Sequence, residues 1–277
     1  MLISRAIYAA GVVYMLILML KALFTASIPM ERPVFAPSLN IITKQILLEH
    51  LAELGKEMLL TRNESKCKTK VMGSGWGGHT LCDSGHPDIP CVFYSYGTSR
   101  DFSFDTAMAD EWGCKGVALD PSVSHASKLH PNVTFHVIAA RTADRNADKK
   151  WHHVTTVPGL KRFLRHKHIT VLKMDCEGCE YALAEDILLE DPDFFHAVDQ
   201  FAIELHVSQK WLKTDNQALL LGQLYKLVKE AGLSVADTHF GGCNPSDEAA
   251  GCLPLLQNVG FPCQSGMMCV DVLFARL

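Results

Sequence analysis

Two kinds of hydropathy pattern divide the chain. Residues 6–24 form an apolar run of 19 residues broken only by Lys21. At ~1.5 Å per residue the run reaches about 28 Å, which suits a thin bilayer core. Beyond Pro29, Pro33 and Pro37, the positions Ile42, Ile46, Leu47, Leu51, Leu54 and Met58 recur at helical spacing behind a capping Ser38 or Asn40. They predict a stem or accessory helix lying on the domain that follows. Residues 61–90 are rich in Gly, Ser, Lys and Cys and predict an irregular segment fixed by a disulfide. The GSGWGGH stretch at 73–79 has no strand ahead of it and is not expected at a cofactor.

From Cys91 onward, apolar runs of strand length alternate with helical patterns. Strands are expected at 91–96, 116–120, 134–139, 170–175, 200–206, 233–238 and 268–275. Helices are expected at 104–112, 123–129, 159–165, 181–189 and 216–231. The alternation predicts βαβ units and a doubly wound α/β fold, with ligands at the carboxyl ends of the strands. The domains expected are a membrane anchor with a cytoplasmic tip (1–30), a stem helix with a Cys/Gly-rich linker (31–85) and a catalytic domain (86–277).

Composition narrows the setting. A formal charge of −4 argues against a surface that tracks nucleic-acid phosphates. Ten cysteines, together with the acceptor triplets Asn63-Glu64-Ser65 and Asn132-Val133-Thr134, place the C-terminal domain on the lumenal side of a secretory membrane. The expectation is a single-pass type II protein of the Golgi or endoplasmic reticulum. Cleavage near Ala22, Ala26 or Ser27 would instead release a secreted form.

Candidate chemistry gathers at the predicted strand ends. The first strand runs into Gly97-Thr98-Ser99-Arg100, where glycine permits close backbone approach and a helix N-terminus follows. The second ends at Asp120, about twenty residues on, where an acid can accept from ribose hydroxyls; capping of the Pro121-Ser122 turn is the plainer alternative. The fourth delivers Lys173, Asp175, Glu177 and Glu180, and the fifth Glu204 and His206. An apolar strand loaded with charge at one end is hard to explain by folding alone. Cys176 and Cys179 form a C-x-x-C with no second ligand pair, so a buried or disulfide role is preferred over redox or zinc chemistry. His239 follows the sixth strand near the same edge.

The blocks VFYSYGTSRDFSFD, ALDPS, VLKMDCEGCEY and FAIELHV resemble those of the FkbM-type methyltransferase superfamily, and more closely the methyltransferase-like protein 24 family. The likeness covers residues 82–277, and its most specific part is the K-x-D-x-E-G-x-E block. It implies a Rossmann-like, mostly parallel seven-stranded sheet whose last strand is antiparallel, S-adenosylmethionine as methyl donor, and a single-pass anchor. Position by position it implies Gly97 beside the cofactor, Asp120 on the ribose, and Asp175 with Glu177 at the transfer centre. The candidate cofactor set is Tyr96, Gly97, Ser99, Asp120, Pro121 and Asp175. Only one glycine stands in the first loop, so Arg100 is either a clamp for the methionine carboxylate or solvated.

Methyl transfer to a hydroxyl or carboxyl needs positioning and, for an alcohol, a proton acceptor. Asp175, Glu204 and His206 are the candidates, as base or as holders of a divalent ion, although no metal site is demonstrated by the sequence. The acceptor is open among glycan, protein, lipid and small molecule. A lumenal glycosyltransferase with Asp191-Pro192-Asp193 as its metal-binding pair is the rival enzyme, and a non-catalytic binding module the rival without turnover.

Overall fold

The structure, a computed structural model, describes residues 41–83, 90–124, 129–142, 150–241, 244–264 and 266–277. These fall in one compact unit. The apolar run at 6–24 lies outside the described residues, and within them no helix is long and apolar enough to cross a membrane.

Helix α1 (Ile41–Thr61) leads into a hairpin of β1 (Thr69–Met72) and β2 (His79–Cys82). Then come β3 (Val92–Tyr96), α2 (Ser103–Glu111), β4 (Lys115–Leu119), β5 (Val133–His136) and a short parallel pair, β6 (Ala139–Ala140) with β7 (Val154–Thr155). The second half runs α3 (Val157–Leu164), β8 (Ile169–Met174), α4 (Glu180–Glu190), β9 (Val198–His206), α5 (Asp215–Glu230), β10 (Ser234–Phe240), α6 (Pro245–Ala250), α7 (Pro254–Asn258) and β11 (Cys269–Ala275).

Seven strands make the main sheet in the order β10-β11-β9-β8-β3-β4-β5. All neighbours are parallel except β11, which lies antiparallel between β9 and β10. This is the methyltransferase-type sheet the resemblance implied, and all seven strands lie where the apolar runs placed them. The order reverses at β3, so the carboxyl ends of β3, β4 and β8 meet at a switch point. The helix expected at 123–129 falls mostly on residues outside the described set.

The stem helix is an integral layer of this unit. Leu47, Leu51, Leu54 and Met58 are buried against α5 and β10, and Gly222 of α5 allows the close approach: a Cβ there would stand 2.5 Å from the Leu47 carbonyl oxygen. A capping box of Thr214 and Gln217 starts α5, as the N-terminal N–H groups of a helix require.

The segment 61–90 departs from expectation. A strand does precede GSGWGGH: β1 and β2 pair antiparallel from Thr69↔Cys82 to Met72↔His79, and the Cys67–Cys82 bridge closes their base. TKVM and HTLC are too short to register as strands by periodicity, and pairing stabilises them. Gln200 of β9 locks the hairpin to the sheet, accepting from Cys82 N at 2.8 Å and donating to Cys82 O at 3.1 Å. Three further bridges join Cys91–Cys114, Cys176–Cys179 and Cys252–Cys263, and Cys269 is also disulfide-bonded.

Candidate active site

Over the carboxyl edge of the sheet opens a cleft of about 520 Å³ lined from three directions. The β3 turn contributes Gly97, Thr98, Ser99 and Asp101; β8 and β9 contribute Lys173, Asp175, Glu177, Glu204 and His206; the hairpin contributes Gly75 to Thr80. Antiparallel β11 brings its beginning to this edge, opposing Asp271 to Glu204 and Cys269 to His206.

At the first turn Gly97 has φ +74°. A Cβ there would lie 1.5 Å from the Asp175 carbonyl oxygen, so only glycine lets the β3 and β8 ends close together. Lys173, buried in the sheet, pins this junction by donating to Gly97 O at 2.7 Å and to Tyr96 O at 3.3 Å. Its Nζ is 3.8 Å from Asp175 Oδ2. Among the described residues, Ser99 (φ +49°) and Glu177 (φ +53°) are two of the three non-glycine residues in left-handed backbone, and both line the cleft. Such conformations cost on the order of 1 kcal/mol and concentrate at functional sites.

From Lys173 a row of titratable side chains crosses the cleft floor. Burial alone would raise Asp175, but Lys173, a hydrogen bond with Glu204, and His206 hold it below the ordinary carboxyl value. Burial, followed by the charge and hydrogen bond of Asp175, pushes Glu204 up to about 9. The two carboxyls share one proton, as like charges in contact must. Next, His206 Nε2 lies 3.4 Å from Glu204 Oε2, and its Nδ1 is 2.7 Å from Glu180 Oε1. Burial works to lower His206, but Glu180, Glu204 and Asp175 prevail and raise it to about 10. At neutral pH His206 is therefore an imidazolium. The histidine expected as a candidate base already holds its proton, which leaves Asp175 as the ionised group.

Glu180 was quoted in the sequence motif but given no task. It opens α4, is fully buried, and accepts from Gly178 N at 2.7 Å as well as meeting His206. Tyr181 donates to the His206 carbonyl oxygen. His79 and Asp271 were missed. His79 is buried beside Asp271 (3.9 Å); burial and Lys173 push it down to about 3, so it is neutral. Burial and Asp175 push Asp271 up to about 6. A lone acid in the apolar run MCVDVLFA was the available signal for Asp271.

Other expected residues are placed as follows. Asp120 directly follows β4 beside the Gly97 turn, but its carboxylate accepts from Ser99 N (2.6 Å), Ser122 N (2.7 Å) and Ser122 Oγ (2.6 Å). It is buried and does not line the cleft; Pro121 sits in the turn it caps. The Tyr96 ring points into the core, because alternation along β3 sends it to the face opposite Ser95. Arg100 is exposed and outside the cleft lining. His239 stands exposed at the cleft mouth. Asp191 pairs with Lys161 at 3.1 Å after α4, away from the cleft lining. Glu204, His206 and Cys269 each bring a possible ligand atom within 4.8 Å of the others, but the Cys269 sulfur is in a disulfide and is not the thiolate a metal takes, so this trio is not a three-ligand site as it stands.

Fold and site together define a Rossmann-like α/β protein of the methyltransferase type. A family model described as a methyltransferase domain matches residues 61–233, and the chain belongs to that family. It is 34% identical over 148 residues to the probable methyltransferase-like protein 24 of Homo sapiens, covering 50% of this chain and 39% of that protein. The protein of the same name from Rattus norvegicus is 27% identical over 147 residues, covering 50% and 40%. The matched part thus spans about two fifths of these relatives. Among solved structures, the plantazolicin methyltransferase BpumL, in complex with a monoazolic desmethylPZN analog and SAH, aligns over 85% of each chain at 9% identity and a TM-score of 0.32. The mitomycin 7-O-methyltransferase MmcR aligns over 84% of this chain and 54% of its own at 12% identity and a TM-score of 0.30.

Proposed function

We propose that the protein is an S-adenosylmethionine-dependent O-methyltransferase of the secretory pathway, in which the Asp175–Glu204 pair receives the acceptor's proton. The observation that carries the reading is the meeting of the Gly97 turn with this half-protonated carboxyl pair at the sheet's switch point.

The donor set fits an adenosyl amino acid. Thr98 Oγ1, at the turn, is buried without a hydrogen-bond partner, and Lys173 and Asp101 place opposite charges on the lining for an ammonium and a carboxylate. S-adenosylmethionine bound there supplies an electrophilic methyl carbon on a sulfonium. The rest falls to the chain. Lys173 holds the β3 turn against β8; Asp175 accepts a hydrogen bond from the acceptor hydroxyl and takes its proton as the oxygen is alkylated; Glu204, already protonated, hydrogen-bonds the Asp175 carboxylate until that transfer leaves both carboxyls neutral; the His206 cation steadies the ionised pair beforehand from behind. A weak base suffices, because the hydroxyl becomes strongly acidic as its oxygen gains the methyl group. No step requires a metal.

Calorimetric titration of S-adenosylhomocysteine into the full chain tests the reading: saturable one-site binding is expected, and its absence rejects it. Asp120→Ala is expected to weaken that binding by about 1–3 kcal/mol if the acid accepts from the ribose hydroxyls in addition to Ser99 and Ser122, since a carboxylate has lone pairs to spare. Unaltered affinity in the folded variant would assign Asp120 to the turn alone.

Lumenal placement is supported by the cysteines: all those among the described residues are disulfide-bonded, a state kept in oxidising compartments. Asn63, in the first glycosylation triplet, is exposed. With residues 6–24 as an uncleaved anchor, the protein is a type II membrane protein whose domain faces the lumen.

A further inference from the structure

We propose that the acceptor is a neutral carbohydrate, its ring seated on the Trp76 indole and one hydroxyl turned toward the Asp175–Glu204 pair. The inference rests on the methyltransferase reading and names the substrate class of the same cleft.

Gly97, Thr98, Ser99 and Asp101 surround the turn assigned to the donor, and Trp76, His79, Trp211, His239, Asn244 and Asp271 also line the cleft. Among these Trp76 is distinctive. It is 83% exposed although it sits in a short turn, Gly75–Gly77, flanked by glycines. That turn is held in place: Gly77 N donates to Asp101 Oδ2 at 3.0 Å and Ser74 N to Ser103 Oγ at 3.0 Å. A Cβ at Gly77 would come within 2.7 Å of both Asp101 and Ser103. A large apolar side chain is thus displayed over the cleft by a braced support that offers no other side chain. An indole left in water keeps its apolar faces hydrated, and stacking against the apolar face of a sugar ring buries one of them.

Charge selects among ring-shaped acceptors. Asp101, Asp175, Glu177 and Asp271 line the cleft against the cations Lys173 and His206, with Asp247 paired to Lys210 at 3.2 Å, so an anionic acceptor group beside the Asp175–Glu204 pair is disfavoured. Trp211 is not a free platform for a cationic acceptor: its Nε1 donates to Asp247 Oδ1 at 2.7 Å, and Lys210 already occupies one face at 4.7 Å from the ring centroid. What remains is a broad, polar, hydroxyl-compatible cleft with one open aromatic platform among the described residues. In the transfer the sugar oxygen forms a bond to the methyl carbon while the sulfur–carbon bond breaks, the hydroxyl proton passes to Asp175, and the sulfonium becomes a neutral thioether.

The test incubates the full chain with methyl-labelled S-adenosylmethionine and three probes: neutral oligosaccharides released from glycoproteins, the same glycans bearing sialic acid or sulfate, and a pool of Ser-, Thr- and Asp-containing peptides. Label is expected in the neutral glycans as an alkali-stable methyl ether, recovered as an O-methyl sugar after acid hydrolysis. Trp76→Ala, at an exposed position that folding does not need, is expected to raise KM for the glycan about tenfold with kcat little changed and S-adenosylhomocysteine affinity unaltered. Label in the peptides, preference for the anionic glycans, an unchanged KM in the variant, or no labelled sugar from a chain that binds S-adenosylhomocysteine would each overturn the carbohydrate assignment. Loss of S-adenosylhomocysteine binding in the unaltered chain would strike the methyltransferase reading itself.

Discussion

Asp175→Asn is expected to slow methyl transfer by about 10²–10⁴-fold while leaving S-adenosylhomocysteine binding within a few-fold of normal. Asparagine keeps the side chain's size, so the Gly97 contact, which involves only the Asp175 backbone, is undisturbed. What disappears is the ionised oxygen that receives the proton. The pH dependence of the residual rate distinguishes this from a loss of packing. In the unaltered protein Asp175 lies below the ordinary carboxyl value, so the transfer step stays active down into the acid range. In the variant Glu204 no longer faces a carboxylate, the second cause that pushes it to about 9, and ionises more readily. The residual rate should therefore climb as pH rises, and adding Glu204→Gln should abolish the climb. A residual rate independent of pH would show that Glu204 is not the partner base.

The sequence was most legible where the fold is repetitive. Seven buried strands announced themselves as apolar runs, since a mostly parallel sheet covered on both faces leaves little reason for polar residues within a strand. The same logic exposed Lys173, Asp175, Glu204 and His206, charged side chains at the ends of such strands. Contacts made by pairing across long stretches of chain were hidden. The β1–β2 hairpin draws its stability from Gln200, 118 residues from Cys82, so nothing local in TKVM or HTLC marks it, and the glycine-rich turn it carries over the cleft went unassigned. Asp271 is at the site only because β11 runs antiparallel and starts where β9 ends. Tyr96 shows the opposite error: its place in the sequence was read well, but strand alternation sends its ring into the core and leaves only backbone at the turn. Protonation was invisible too, because Glu180, which settles the state of His206, meets it across 26 residues of sequence.

That pairing also governs stability. Glu180→Gln removes the buried carboxylate that holds His206 protonated; breaking such a pair is expected to cost about 3 kcal/mol, near the low end for buried ion pairs because the imidazole can relieve its isolation by releasing the proton. The pH dependence identifies the cause. Folding raises His206 from 6.5 to about 10, so between those values the native state holds more protons than the unfolded chain, and stability must fall as pH rises. The contribution is complete below about pH 6.5 and lost by about pH 10. Glu204, also raised by folding, from 4.5 to about 9, slopes in the same direction over its own window. Chemical denaturation of the unaltered protein should therefore show stability declining from pH 6.5 to 10, and Glu180→Gln should remove the His206 share, bringing the two proteins closer together in alkali than at neutrality. Histidine NMR gives a readout that packing alone would not alter: His206 should remain an imidazolium at pH 8 in the unaltered protein and be neutral in the variant. An imidazole already neutral at pH 8 in the unaltered protein would return His206 to the list of candidate bases and remove the reason for assigning the proton to Asp175.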